Sequence, residues 1–234
     1  MNLCKIFGRT CPRLSVFIVI GGLSLIASLK CGDDAVTITD TQFCVSGKIS
    51  NWTRGTKTLQ ARFYGESHTR YEIVNGPIDA EGNFNLCLPL TMPDTSLMRA
   101  DSIFYSGCSG GTATFNPPDA RGGEIYDFRV KSGDTVIGFV KRNNYDTLYP
   151  GAFSIMYVYA NQSVTGTGWK YCSPDTLNFN GTANTGWTKV TKNCTRTIGT
   201  GTTYLYNTTE PAGAVWKFSP VTDALIDEGD GNGR

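Results

Sequence analysis

Cysteine is the residue type with the most chemistry to offer here: the chain holds eight. Cys4 and Cys11 lie in a basic N-terminal stretch, and Cys31 follows an apolar run. The others are Cys44, Cys87, Cys108, Cys172 and Cys194. Their spacings are not those of a zinc site, so the sulfurs are expected to form disulfides in an oxidising compartment. Cys44 and Cys87 both fall on the polar side of alternating segments, and a bond between them is expected. Cys172 and Cys194 flank a stretch rich in Gly and Asn, Ser173 to Asn193, and are the second expected pair. Cys87 with Cys108 is the rival pairing. Cys31, if it forms a disulfide, is expected to pair with Cys108.

Other constellations are weaker. Gly107-Cys-Ser-Gly-Gly111 has the spacing of a nucleophile elbow, which needs a sharp strand-to-helix turn and a His later in the chain. The sole His, His68, precedes Ser109, and no helical pattern follows. A Gly-rich loop around a disulfide cysteine is the expected reading. Asp223, Asp227 and Asp230, among Gly229, Gly231 and Asn232, offer oxygens for calcium. The chain reaches Arg234 before a closing bidentate acid, so a solvated tail is expected. Trp52, Trp169, Trp187 and Trp216, with Tyr157, Tyr159, Tyr204 and Tyr206, could stack on sugars. Core packing and cross-strand ladders are the commoner use of such residues. Sequons at Asn51, Asn161, Asn180, Asn193 and Asn207 are expected by chance in a chain this rich in Asn and Thr. No carboxylate pair stands out for glycoside hydrolysis. No catalytic residue, metal or cofactor is expected.

Composition narrows the classes. Lys and Arg number 21 against 20 Asp and Glu, and charged residues make up 18%. A strongly basic nucleic-acid binder, an acidic disordered chain and a coiled coil are excluded. Lys5, Arg9, Arg13 and Lys30 sit in the first thirty residues without an acid. They surround an apolar run, Leu14 to Leu29, short of the roughly 20 residues that span a bilayer as a helix. This is the layout of an export signal. Lys30-Cys-Gly-Asp-Asp34 behind it resembles the bacterial lipoprotein signal, which implies lipid attachment at Cys31. That signal has a small residue before the cysteine, where this chain has Lys30. Ordinary cleavage and an uncleaved anchor are the alternatives. Each places the bulk of the chain outside the cytoplasm.

Strands must position these residues. Past residue 35 apolar residues alternate with polar ones, and Gly, Asn, Asp and Pro clusters recur about every ten residues. Phe43 to Ile49, Leu59 to Phe63, Tyr71 to Val74 and Phe84 to Leu88 read as strands of a first block, 36–90. Asp79-Ala-Glu-Gly82 is its clearest turn. Val45-Ser-Gly-Lys-Ile49, the acidic-Gly turn and Asn83-Phe-Asn-Leu86 resemble the small transthyretin-like or carboxypeptidase-regulatory-like β-sandwich modules of bacterial secreted proteins. That resemblance implies a fold and a display role, and no catalytic residues. Residues 91–99 read as a linker, 100–220 as a larger sandwich, and 221–234 as a disordered polar tail.

The expected protein is therefore all-β: two consecutive β-sandwich modules after an N-terminal signal or anchor helix, 1–30. It is expected to work as a structural or binding module of the cell envelope, without catalysis. Its expected partners are the membrane, through lipid or the N-terminal segment, and envelope proteins or polysaccharide, with no nucleic acid. An exported carbohydrate-binding or carbohydrate-cleaving protein is the alternative.

Overall fold

A computed structural model describes residues 42–66, 70–103 and 108–221, together with two short strands near the N-terminus. These strands, β1 (Val19–Ile20) and β2 (Leu23–Ser24), pair antiparallel. The rest of the expected signal or anchor segment, Cys31, His68 and residues 222–234 lie outside the described residues. The described residues from 42 onward form one compact unit.

That unit is all-β. Its strands are β3 (Cys44–Lys48), β4 (Lys57–Tyr64), β5 (Arg70–Ile78), β6 (Asn83–Cys87), β7 (Met98–Arg99), β8 (Ser109–Gly111) and β9 (Thr114–Asn116). They continue with β10 (Arg121–Ser132), β11 (Thr135–Asn143), β12 (Phe153–Ala160), β13 (Val164–Cys172) and β14 (Asp175–Ala183). The last three are β15 (Gly186–Ile198), β16 (Gly201–Asn207) and β17 (Val215–Pro220). The α-helix among the described residues is a single turn, α1 (Ala100–Ile103).

The strands make two structures from one hydrogen-bonded sheet. The first is a closed ring in the order β3, β6, β5, β4, β10, β11, β17. It closes through a parallel bridge between Ile49 and Trp216. The Trp216 carbonyl accepts the Ser50 backbone N–H at 2.8 Å and the Ser50 hydroxyl at 2.9 Å. The ring draws on both expected segments, because β4 pairs along β10 from Tyr64 opposite Glu124 to Thr58 opposite Lys131. Segment 91–99 passes between them without interrupting the sheet. The second structure is an open extension in the order β12, β15, β16, β14, β13, with β8 and β9 along the far edge of β13.

Alternation explains the ring's core. Leu59, Ala61 and Phe63 of β4 point inward, as do Phe84 and Leu86 of β6 and Phe128 and Val130 of β10. Trp216 stands among Phe84, Phe128 and Tyr157, edge-on to the two phenylalanines and parallel to the tyrosine. Gly47 makes room for it, since a Cβ there would lie 2.4 Å from the indole. The Asp79 turn forms as its sequence suggests. Gly82 takes φ +87°, and the Asp79 carboxylate accepts the Glu81 and Asn83 backbone N–H groups. The Asn83 side-chain amide also donates to it at 2.8 Å, and these bonds, that amide first, hold the Asp79 carboxyl below its ordinary value.

Candidate functional site

The expected Cys44–Cys87 disulfide is present. The two residues face each other across β3 and β6, with Cα atoms 3.9 Å apart. The expected Cys172–Cys194 bond is not formed: Cys172 bonds to Cys108, and Cys194 is a buried thiol. Strand order supplies the reason. Cys172 ends β13 and Cys194 lies in β15, with β14 and β16 between them. Three strand spacings amount to about 14 Å, far beyond the reach of a disulfide. On its other side, β13 meets β8, where Tyr171 pairs with Ser109 and brings Cys108 beside Cys172. Both disulfides suit an oxidising, extracytoplasmic compartment.

Ser109 does not sit at a strand-to-helix elbow. It begins β8, an exposed strand on the sheet edge, and the segment is the Gly-rich surround of a disulfide cysteine. Among the described residues no three His, Cys, Asp or Glu side chains are grouped to hold a metal.

The aromatic set divides sharply. Trp187, Trp216, Tyr157, Tyr159 and Tyr206 are buried, and Trp52 packs edge-on to Phe218. The Trp187 indole N–H donates to the Pro89 carbonyl at 2.7 Å, tying β15 to the segment after β6. Trp169 alone of the four tryptophans faces solvent, 43% exposed. Tyr171, two residues on, is 41% exposed. The two share the outward face of β13 by strand parity. Tyr171 was within reach of sequence reasoning, since parity with Trp169 in the expected strand Gly168 to Cys172 puts it there.

The backbone under this pair is fixed. The Trp169 carbonyl accepts N–H groups from Thr112 and Ala113 at 2.8 and 3.0 Å. Gly168 adopts φ +91°, and a Cβ there would come 2.6 Å from the Thr112 carbonyl oxygen. One residue past Tyr171, the Cys108–Cys172 bond staples the strand end to its neighbour. On β14, Asn178 lies opposite Trp169 and Thr176 opposite Tyr171. The Asn178 amide donates to the Tyr204 carbonyl at 3.1 Å, which fixes its orientation. Hydroxyls of Thr165 and Thr182 meet at 2.8 Å, and those of Thr114 and Thr167 at 3.1 Å. No Asp, Glu, Lys or Arg takes an outward position on β9, β13 or β14.

A second feature is a cleft on the outer side of the ring, where β10, β11, β12 and β15 come together. Its volume is about 290 Å³. A bulge in β10 between Ile125 and Asp127 creates its acidic side. The extra residue keeps Ile125 and Phe128 both inward and turns Glu124 and Asp127 both outward. Asp127 is committed: the Arg62 guanidinium grips it in two bonds, with Nε to Oδ1 at 2.9 Å, and Arg129 stands 3.8 Å away. Glu124 differs. Its Oε2 is sealed from solvent without a hydrogen-bond partner. Burial pushes this carboxyl up to about 7, against the opposing field of Lys192. Lys192 lies over the Tyr204 ring, 4.0 Å from its centroid. Its own burial lowers its proton affinity. Sequence reasoning did not find Glu124, because the bulge that turns it into the cleft leaves no mark in the alternation.

The cleft therefore holds two carboxyls, of which one is locked in an ion pair and the other has a sealed oxygen. Glycoside hydrolysis needs a second free carboxylate as nucleophile or base. The exposed aromatic strand, with its ordered amides and hydroxyls, is the better-formed surface for a ligand. No family model matches this chain, and neither a curated protein nor a solved structure matches it.

Proposed function

We propose that this protein is exported and works outside the cytoplasm as a non-catalytic binding module. It is held at the cell envelope by a lipid on Cys31 or by its N-terminal segment. The observation that carries the binding role is the stapled display strand: Trp169 and Tyr171 project from β13, whose end is fixed by Cys108–Cys172. A large exposed aromatic pair loses favourable burial unless something covers it. Beneath it, β13 pairs along β14 over Leu177 and Phe179, and the Trp169 carbonyl is held by Thr112 and Ala113, so the surface is preformed.

Export and anchoring have a direct test. Cys31→Ala is compared with wild type by membrane fractionation in the native host. Intact mass of the mature protein is measured before and after thiol alkylation. Lipidation requires that the wild type be membrane-bound and heavier by acyl chains, with the variant released or unprocessed. Equal solubility of both forms leaves plain secretion. Reduced Cys44, Cys87, Cys108 and Cys172 in freshly isolated protein would refute export.

A further inference from the structure

We propose that the outward face of β13 and β14 binds a neutral polysaccharide chain, with Trp169 and Tyr171 as stacking platforms in line. The proposal rests on the reading of the chain as an exported binding module and names the ligand class of that surface.

Four observations carry it. The first is ring geometry. Residues two apart on a strand are separated by about 7 Å and project to the same side. Trp169 and Tyr171 therefore place two exposed aromatic side chains along one line, as successive rings of a polymer require. The C–H face of a pyranose is apolar and carries partial positive charge, and it packs on the negative face of an aromatic ring. The second is charge. Outward positions on β9, β13 and β14 carry no ionisable carboxylate, ammonium or guanidinium. A phosphate or uronate polymer would find no counter-ion there, and a basic polymer no acid. A neutral polymer needs neither.

The third is hydrogen-bonding capacity beside the rings. Asn178, opposite Trp169, keeps its carbonyl oxygen available while its amide N–H₂ holds the Tyr204 carbonyl. Asn180, opposite Thr167, is exposed. Sugar hydroxyls both donate and accept, and side-chain amides match them in both senses. The fourth is preorganisation. Gly168, the Cys108–Cys172 bond and the paired threonine hydroxyls hold the face before any ligand arrives. Little ordering entropy remains to be lost on binding.

The test uses the oxidised full-length protein. Affinity electrophoresis is run in gels containing soluble glucan, mannan or xylan, and pull-downs use insoluble cellulose and chitin. Polygalacturonate serves as the charged control. The expected result is retention by at least one neutral polymer that persists at high salt. Trp169→Ala and Tyr171→Ala should each weaken it at least about tenfold, with thermal unfolding unchanged, while Tyr171→Phe retains it. Retention by no neutral polymer, retention untouched by both alanine variants, or salt-sensitive retention on polygalacturonate alone would overturn the proposal. So would wild-type dimers that sediment as monomers in the alanine variants, because the face would then be a contact between copies. An exported protein that binds no polymer sinks this inference alone. A protein found reduced in the cytoplasm sinks the broader reading.

Discussion

The closed ring and the open extension use the same strand alternation for opposite ends. In the ring, inward positions carry large aromatics that meet edge-on around Trp216, and the strand edges are consumed by closure. In the extension, the inward face carries a smaller cluster of Val158, Leu177, Phe179, Val190 and Tyr206. Its outward face carries threonine, asparagine and two exposed aromatic rings. Cohesion is concentrated where edges are closed, and display where an edge strand is left and a disulfide guards it.

The strongest way to break this contrast is at the ring's latch. Trp216→Ala removes the ring's central side chain, the Nε1–H donated to the Ser46 carbonyl at 3.3 Å, and the packing of Phe84 and Phe128. A loss of about 4 kcal/mol is expected in urea unfolding. Gly47→Ala attacks the same junction from the other side by pressing a methyl group onto the indole. A loss of about 2 kcal/mol is expected. A fully stable Trp216→Ala protein would mean that the ring does not depend on its closure.

The disulfides sharpen the contrast next. Cys44–Cys87 joins two strands of the ring and spans 43 positions. The pair Cys44→Ser with Cys87→Ser is expected to cost about 3 kcal/mol of global stability. Cys108–Cys172 spans 64 positions, so unfolded-chain entropy alone would rank it at least equal. Yet it fastens β8, whose three residues are all exposed. Its removal should open that edge locally, before the ring unfolds. Hydrogen exchange should show faster exchange in β8 and the end of β13, with a smaller change in the global midpoint. Equal global losses from both pairs would show that the extension and the ring unfold as one.

Glu124 tests the seam between the two structures. Its carboxyl is raised from 4.5 to about 7 by burial. The folded state therefore binds this proton more tightly than the unfolded chain does. Stability from this group is full below about pH 4.5 and is lost as pH rises toward 7. The complete linkage is about 3 kcal/mol, and partial exposure of Glu124 reduces the expected effect to about 2 kcal/mol. Glu124→Gln should be more stable than wild type at pH 8 and equal to it at pH 4. A pH-independent difference would mean that Glu124 does not titrate within the fold.

Much of the ring was legible because its alternation is unbroken: Phe84, Leu86 and Leu88 announce a strand, and Asp79 to Gly82 a turn. Membership was less legible. Nothing local to Trp216 says that it will close against Ile49, some 170 residues away in sequence. The stretch Ser173 to Asn193 looked mostly like a Gly- and Asn-rich loop between two cysteines. It contains β14, whose inward Leu177 and Phe179 are outnumbered by outward Thr and Asn. Polarity on one face hid the strand, and with it the distance that forbids Cys172–Cys194. Cys108 was expected to bond with Cys87 or Cys31, and it bonds with Cys172, since pairing follows strand order and not spacing.

The smallest expected effect on stability falls on the exposed indole of Trp169. Trp169 contributes no side chain to the buried clusters, and its place in the sheet is held by backbone bonds to Thr112 and Ala113. Trp169→Ala keeps those bonds. Its removal should move the unfolding free energy by no more than about 0.5 kcal/mol, the ordinary range for a surface substitution. Gly168→Ala, its immediate neighbour, is the control. It forces a side chain into a left-handed backbone position, against the Thr112 carbonyl. A measurable loss of stability is expected there and not at Trp169. If Trp169→Ala proved as damaging as Trp216→Ala, the exposed ring would belong to the core, and the division between cohesion and display would fail at the residue chosen to mark it.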